Sequence, residues 1–192
     1  MEKELFIATD APYTLNFMLY IHNIFLNQNQ STEKHKYPFF SSKVDFNENF
    51  VSEYKDLWND IIERLSKPQC NEMKIFYEEK DLFYQRLFVM NTDSLKIYNE
   101  IYNTFEIWWG SFAGRFSIER SIDEPLDKLY RELAKLLNQN NVRTQSQLKI
   151  SLIYEECLLA NEEVSPYFAV IPIRDFFVNY KDLAPKLQGC FY

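Results

Sequence analysis

The sequence predicts a mainly α-helical, bundle-like fold of about five to seven helices, formed by a single domain that spans residues 1–192. Amphipathic stripes with helical spacing recur along the chain, between residues that begin or end helices. Only three of the 192 residues are glycine, so the glycine turns of tight hairpins are scarce. Aromatic residues make up 17% of the chain, which indicates an aromatic core.

The first predicted helix follows Asp10, which can cap it, with Pro12 in the first turn. A polar loop follows from residue 27 to residue 36. The apolar residues of this helix have helical spacing and include a histidine: Leu15, Met18, His22, Phe25 and Leu26.

The second helix has the clearest amphipathic pattern in the chain, and Pro68 marks its end. Its apolar stripe consists of Val51, Tyr54, Leu57, Trp58, Ile61, Ile62 and Leu65. Residues 73–90 fit two alternatives: a β-hairpin that turns at residues 78–81, or a helix. The turn lacks glycine and asparagine, which weakens the hairpin alternative.

A third clear helix is capped by Thr92 or Asp93 and ends at Gly110. Its apolar face consists of Leu95, Tyr98, Ile101, Tyr102, Phe105, Trp108 and Trp109. The next helix begins at Asp123 and Pro125 and has a leucine-rich face. This face consists of Leu126, Leu129, Tyr130, Leu133, Leu136 and Leu137.

In the last third of the chain, the sequence predicts one helix, one extended segment and a short final helix. Thr144 and Gln147 match a capping box before a buried helix over residues 148–159. Two prolines, Pro166 and Pro172, favour an extended segment over residues 167–173. The final helix has an apolar face from Ile173 to Tyr180 and ends before Pro185.

Several catalytic and metal-binding classes are excluded by the sequence itself. The glycines stand at positions 110, 114 and 189, so neither a dinucleotide loop, a phosphate loop nor a serine nucleophile elbow can be written. The two histidines lack the partners of a zinc or di-iron motif. We therefore expect no metal site, no cofactor and no catalytic residue.

His22 is the one histidine on an apolar stripe, and two interpretations of it are open. It is either a core histidine bonded to a neighbouring carbonyl or carboxylate, or a general base with a pKa near neutrality. In the second interpretation it contributes to a ligand-binding pocket.

The segment from Trp108 to Arg120 holds the best candidate binding residues: Trp108, Trp109, Arg115 and Arg120. Aromatic and arginine side chains are typical of protein-interface hot spots, and they also stack flat ligands and bind anions. The structural alternative pairs the arginines with Glu119 and Asp123. Because adjacent helical residues point about 100° apart, we expect one tryptophan in the core and the other partly exposed, close to Arg115.

Charge and cysteine content restrict the partners and the compartment. The net charge of −7 argues against direct nucleic-acid binding, which needs a basic surface. The chain lacks an apolar stretch long enough to cross a membrane, and we expect no membrane partner. Three dispersed cysteines, with Cys157 in an apolar stretch, fit a reducing, cytoplasmic environment.

Two functions remain open after these exclusions. The first is a non-catalytic protein–protein interaction protein: an adaptor, inhibitor or accessory subunit of a bacterial or phage complex, in phage defence or counter-defence. The second is a small-molecule-binding protein or enzyme with a pocket between helices, in which His22, Trp109 and Arg115 hold the ligand. A deep cavity where these residues converge discriminates the second from the first.

Overall fold

The structure, a computed structural model, describes residues 5–29, 35–142, 146–160 and 164–192. Over these residues the chain forms eight α-helices and four short strands, which confirms the predicted fold class. The described residues fall into two compact units. The helical unit comprises residues 13–29, 35–111 and 157–160; the sheet unit comprises residues 5–12, 112–142, 146–156 and 164–192. The organisation as a single domain stays a prediction.

The helical unit is built around its first helix. Its helices are α1 (Tyr13–Asn29), α2 (Phe50–Leu65), α3 (Glu72–Glu78), α4 (Lys80–Leu87) and α5 (Thr92–Trp109). Helix α1 is buried on almost every side, as expected for a helix that other helices surround. Phe17, in the second turn of α1, contacts the rings of Phe76, Tyr102 and Phe105 at centroid distances of 5.8, 5.3 and 5.1 Å. The predicted aromatic core is therefore confirmed in this unit.

The start of α1 differs from the prediction, because Asp10 does not cap it. Asp10 ends a β-strand, and its carboxylate accepts a hydrogen bond from Ser151 and pairs with Lys149. The carboxylate at the helix start belongs to Glu72, whose Oε1 accepts from the backbone N–H of Thr14 at 2.6 Å and from its hydroxyl at 2.7 Å. An acidic group distant in sequence thus satisfies the first turn of α1.

We expect Glu72→Ala to lower the free energy of unfolding by about 1–2 kcal/mol, the usual cost of losing a cap. The substitution leaves the Thr14 N–H and hydroxyl without this acceptor and removes a negative charge from the helix N-terminus. The matched control is Glu78→Ala, because Glu78 is exposed and pairs only loosely with Lys74, at 3.9 Å. Chemical denaturation measures both changes, and equal losses for the two variants would contradict the capping role.

Residues 73–90 are helical, so the hairpin alternative is not adopted. Asn71 begins α3 by accepting a hydrogen bond from the N–H of Lys74, and α4 follows directly. The carboxylate of Glu79, between the two helices, accepts both guanidinium hydrogen bonds of Arg64 at 2.9 and 2.7 Å. This bidentate pair joins α2 to the α3–α4 junction.

Helix α5 ends as predicted, but a different residue begins it. The side chain of Asn91 accepts from the N–H of Ser94 at 2.8 Å, so Asn91 is the cap instead of Thr92 or Asp93. Asn91 is also held by Tyr84, whose hydroxyl donates to its carbonyl at 2.8 Å. Gly110 follows the last helical residue, Trp109, and confirms the predicted end.

The sheet unit combines a four-stranded sheet with three helices. The strands are β1 (Ile7–Asp10), β2 (Leu148–Ile153), β3 (Val164–Ser165) and β4 (Phe168–Pro172), and the helices are α6 (Ser117–Ser121), α7 (Asp123–Gln139) and α8 (Tyr180–Gln188). The sheet order is β1-β2-β4-β3, with β1, β2 and β4 parallel and β3 antiparallel to β4. Helix α7 follows the prediction and buries Leu129, Leu133 and Leu137.

The predicted helix over residues 148–159 is wrong. Residues 148–153 form β2, between β1 and β4. A strand buried on both faces is apolar at successive positions, which periodicity does not distinguish from a buried helix. The capping box falls on Thr144, which lies outside the described residues. The predicted extended segment at 167–173 is confirmed, since Phe168–Pro172 form β4.

The final helix also differs from its predicted bounds. Ile173–Phe176 form a single 3₁₀ turn, and α8 begins only at Tyr180. Pro185 lies inside α8 and does not end it. The helix buries Leu183 and Ala184 before the proline and Leu187 after it, and this packing holds the helix on both sides of the missing N–H.

Candidate interaction surface

The two adjacent tryptophans of α5 have different environments, as their helical separation predicts. Trp109 is 0% exposed; its ring stacks on Phe105 at 5.7 Å and meets the edge of Tyr13 at 6.5 Å. Trp108 is half-buried and stacks on Tyr20 at 5.9 Å. Trp109 is therefore the core residue of the pair, and Trp108 presents part of its ring at the surface.

Trp108 belongs to an exposed apolar surface that we call the Trp108 surface: Tyr37, Ile107 and Trp108. Ile107 is 75% exposed and Tyr37 is 49% exposed. The centroids of Tyr37 and Trp108 are 4.9 Å apart. The indole therefore contacts both Tyr20 and Tyr37, and the side chain is half-buried.

Two asparagines of α1 hold the segment that carries Tyr37. Asn23 donates to the carbonyl of Tyr37 at 2.7 Å. Asn27, one turn later, donates to the carbonyls of Lys36 and Pro38 and accepts from the N–H of Lys36 at 2.8 Å. These bonds satisfy backbone groups of a segment without regular structure, and they fix Tyr37 beside Trp108.

The Trp108 surface carries no charge at neutral pH. Burial raises the pKa of Tyr37, and burial together with the neighbouring Tyr37 raises the pKa of Tyr20. Both phenols therefore remain protonated at pH 7, and the surface offers aromatic and aliphatic contact instead of a charged group.

Arg115 and Arg120 belong to the sheet unit and bond to neighbours within it. Arg115 Nε donates to Glu119 Oε1 at 2.9 Å, and the same oxygen accepts from the N–H of Ala11 at 3.3 Å. Arg120 pairs with Asp123 at 3.3 Å. These are the pairs that the structural alternative predicts. The joint role of the arginines with the tryptophans stays a prediction.

Arg120 also contacts a second exposed aromatic pair, Phe112 and Phe116, whose rings are 5.1 Å apart. The guanidinium of Arg120 lies 5.6 Å from the ring centroid of Phe116. Neither these phenylalanines nor Tyr37 belongs to the binding residues that the sequence predicts. Phe112 and Phe116 are one helical turn apart in a segment that also contains arginine, and this spacing is enough to predict that the two rings lie close together. Tyr37 has no such signal, because its position depends on Asn23 and Asn27.

His22 is 0% exposed, and both ring nitrogens bond inside the helical unit. Nδ1 lies 2.8 Å from Asn23 Oδ1, and Nε2 accepts from the backbone N–H of Leu158 at 3.2 Å. A nitrogen that accepts from an amide is unprotonated, so the neutral ring donates from Nδ1. Burial lowers the pKa of His22 to about 4, which Asn23 partly opposes. The geometry favours the structural interpretation, although its binding role stays untested.

The small-molecule alternative predicts a deep cavity lined by His22, Trp109 and Arg115. None of these residues lines any of three surface clefts of the structure. These have volumes of about 900, 670 and 400 Å³. Of the predicted binding residues, Arg120 lines the 670 Å³ cleft, and the other four line none of the three.

The cysteines are free thiols: Cys70 is half-buried, and Cys157 and Cys190 are buried. Burial raises the pKa of the Cys157 thiol, and it raises that of Cys190 to about 11. Both buried thiols therefore stay protonated at neutral pH. The hydroxyl of Tyr54 lies 3.4 Å from the sulfur of Cys157, which matches the predicted buried thiol.

Among the residues that the structure describes, no group of three or more histidine, cysteine or acidic side chains is arranged to hold a metal ion. Within the same residues, every helix is too short or too polar to cross a bilayer. Comparisons with protein-family models, with curated proteins and with solved structures found no match.

Proposed function

We propose that this protein is a non-catalytic protein–protein interaction protein, acting as an adaptor, inhibitor or accessory subunit of a bacterial or phage complex. The observation that carries the proposal is the Trp108 surface, where a half-buried indole between Tyr20 and Tyr37 adjoins Ile107, which is 75% exposed. The proposal places the protein in the cytoplasm, in phage defence or counter-defence.

The physical support lies in how the Trp108 surface is built. Tryptophan and tyrosine dominate interface hot spots because they offer large apolar area with few rotatable bonds. Here Tyr20 and Tyr37 already restrict the indole, so a partner loses little conformational entropy when it covers the ring. Ile107 adds aliphatic area that a protein partner can remove from water.

The partner in this proposal is a protein, and nucleic acid, membrane and metal play no part in it. A net charge of −7 repels a phosphate backbone and attracts a partner with a basic rim. A small-molecule ligand stays the alternative, and it is an outcome of the experiment below.

We expect Ile107→Lys to weaken partner binding strongly while the fold remains intact. Affinity capture from the native host compares wild-type protein, Ile107→Lys and the control Asn59→Lys, which adds the same charge at an exposed position of another helix, α2. Partner recovery should fall at least about tenfold for Ile107→Lys, as at interface hot spots, and stay unchanged for the control. Thermal melting verifies that both variants fold.

Two results would overturn the proposal. The first is recovery of wild-type protein with no other protein under gentle conditions. The second is equal partner recovery for the two lysine variants, which would place binding away from the Trp108 surface. A metabolite that raises the melting temperature of wild-type protein would favour the small-molecule alternative.

A further inference from the structure

Among the described residues, one edge of the sheet in the sheet unit has no further strand beside it, and at the other edge the C-terminal 3₁₀ turn contacts the chain next to the last strand. At the β3 side of the sheet, the N–H of Tyr167 donates to the carbonyl of Cys190 at 3.0 Å, in the 3₁₀ turn Gly189–Phe191. Strand β1 forms the opposite edge, and in the described ranges of the chain its one partner strand is β2.

The hydrogen-bond pattern identifies which groups of β1 face outward. The N–H of Leu148 donates to the carbonyl of Phe6 at 2.9 Å, and Ile7 is opposite Leu148 in the register. In a parallel pair, alternate residues bond to the neighbouring strand, so Ala8 also faces β2 while Ile7 and Thr9 present their N–H and C=O groups outward. Within the described chain these outward groups have no hydrogen-bond partner.

Another extended backbone bonds to all donors and acceptors with this spacing at once. The β1 edge is also self-complementary. When two copies of β1 run antiparallel with Ala8 opposite Ala8, Ile7 of one copy faces Thr9 of the other, and each pair exchanges both N–H···O bonds. Every outward group of β1 is then bonded, and no other residue of the strand is needed.

The side chains of β1 permit this pairing. Ala8 stands on the two-fold axis, where the Cα atoms of a non-hydrogen-bonded pair approach to about 4.5 Å and a small side chain avoids crowding. Phe6, which is 59% exposed, stands opposite Asp10 of the other copy. The Asp10 carboxylate is already bonded to Ser151 at 2.8 Å and to Lys149 at 3.3 Å, and no like charges oppose each other between residues 5 and 11.

We propose that two copies of this chain associate through antiparallel pairing of their β1 strands, which joins their sheets into one continuous sheet. The partner of this edge is therefore a second copy of the protein. The inference is independent of the Trp108 surface, which lies in the helical unit and uses none of these residues.

Site-specific cross-linking tests the register. In a Cys70→Ser background, which removes the half-buried native thiol, Ala8→Cys is oxidised mildly and analysed on a non-reducing gel. At the axis the Cα separation of about 4.5 Å lies within the disulfide range of roughly 4.4–6.8 Å, so covalent dimer should form. The matched control is Thr9→Cys. In this register Thr9 of one copy lies opposite Ile7 of the other, so the two introduced thiols do not face each other and should cross-link poorly.

Sedimentation of the uncross-linked protein gives a second readout. Thr9→Pro removes an outward N–H that β2 does not use, and edge strands tolerate proline at such positions. We expect its dimer dissociation constant to rise at least about tenfold, with an unchanged circular dichroism spectrum. Wild-type protein that stays monomeric, with no Ala8→Cys cross-link, would overturn the proposal. Equal cross-linking of Ala8→Cys and Thr9→Cys would overturn the register and with it the proposal.

Discussion

Trp109→Ala is expected to lower the free energy of unfolding by about 3–5 kcal/mol, the range for removing a large aromatic ring from a core. Trp109 is fully buried, and Phe105, Tyr13 and Trp108 surround its ring at centroid distances of 5.7, 6.5 and 5.1 Å. Rings in close packing leave a cavity when one of them is removed, and the neighbours collapse into it only in part.

Trp108→Ala is the matched variant, since it removes the same side chain one residue earlier. Trp108 is half-buried and gives up less apolar contact, so its loss should cost about 1 kcal/mol of stability. Its larger effect should be on partner binding, because the variant lacks the indole that the partner is proposed to cover. Urea denaturation measures the first effect and affinity capture the second. Large and equal stability losses for both variants would show that the tryptophan pair is purely structural.

The second large effect is a dependence of stability on pH that His22 controls. Burial lowers the pKa of His22 from 6.5 to about 4 in the folded state. Between these two values the unfolded chain binds a proton that the folded chain does not. Acidification therefore favours unfolding, and stability should fall by about 3 kcal/mol as the pH drops from above 6.5 to about 4. Above pH 6.5 both states are neutral and the contribution of His22 is constant.

The variant His22→Gln should remove this part of the pH dependence, because glutamine does not titrate. It will also destabilise the protein at pH 8, since glutamine reproduces the bonds to Asn23 and Leu158 imperfectly. The informative quantity is the slope of the unfolding free energy between pH 4 and pH 6.5. The matched control replaces the other histidine of the chain, the exposed His35, by glutamine. An equal slope for wild-type protein and His22→Gln would show that His22 is protonated in the folded state.

The helices with strong local patterns are the ones that the sequence predicts well. Helix α2 covers the predicted stripe and ends before Pro68, and α7 begins at Asp123 with Pro125 in its first turn. In both, the apolar face and the terminating residues lie within one helix length, so they need no information from distant residues.

The candidate surface shows the same division. The difference between Trp108 and Trp109 follows from the angle between adjacent helical positions, and the pairs of Arg115 with Glu119 and Arg120 with Asp123 follow from their spacing of four and three residues. Tyr37 could not be predicted, because two asparagines of α1 place it beside Trp108.

By itself, the sequence determined the helical class, the aromatic core and the absence of glycine-loop motifs and of zinc or di-iron histidine motifs, since each of these depends on residue type or local spacing. Tertiary structure decided the rest. Residues 148–153 became a strand because β1 and β4 supply hydrogen bonds on both sides, and an apolar run is compatible with either secondary structure. Helix α1 begins with Glu72 as its carboxylate partner because folding brings that group to its N-terminus. A backbone N–H group donates to any acceptor with suitable geometry, and only the folded chain determines which acceptor is near.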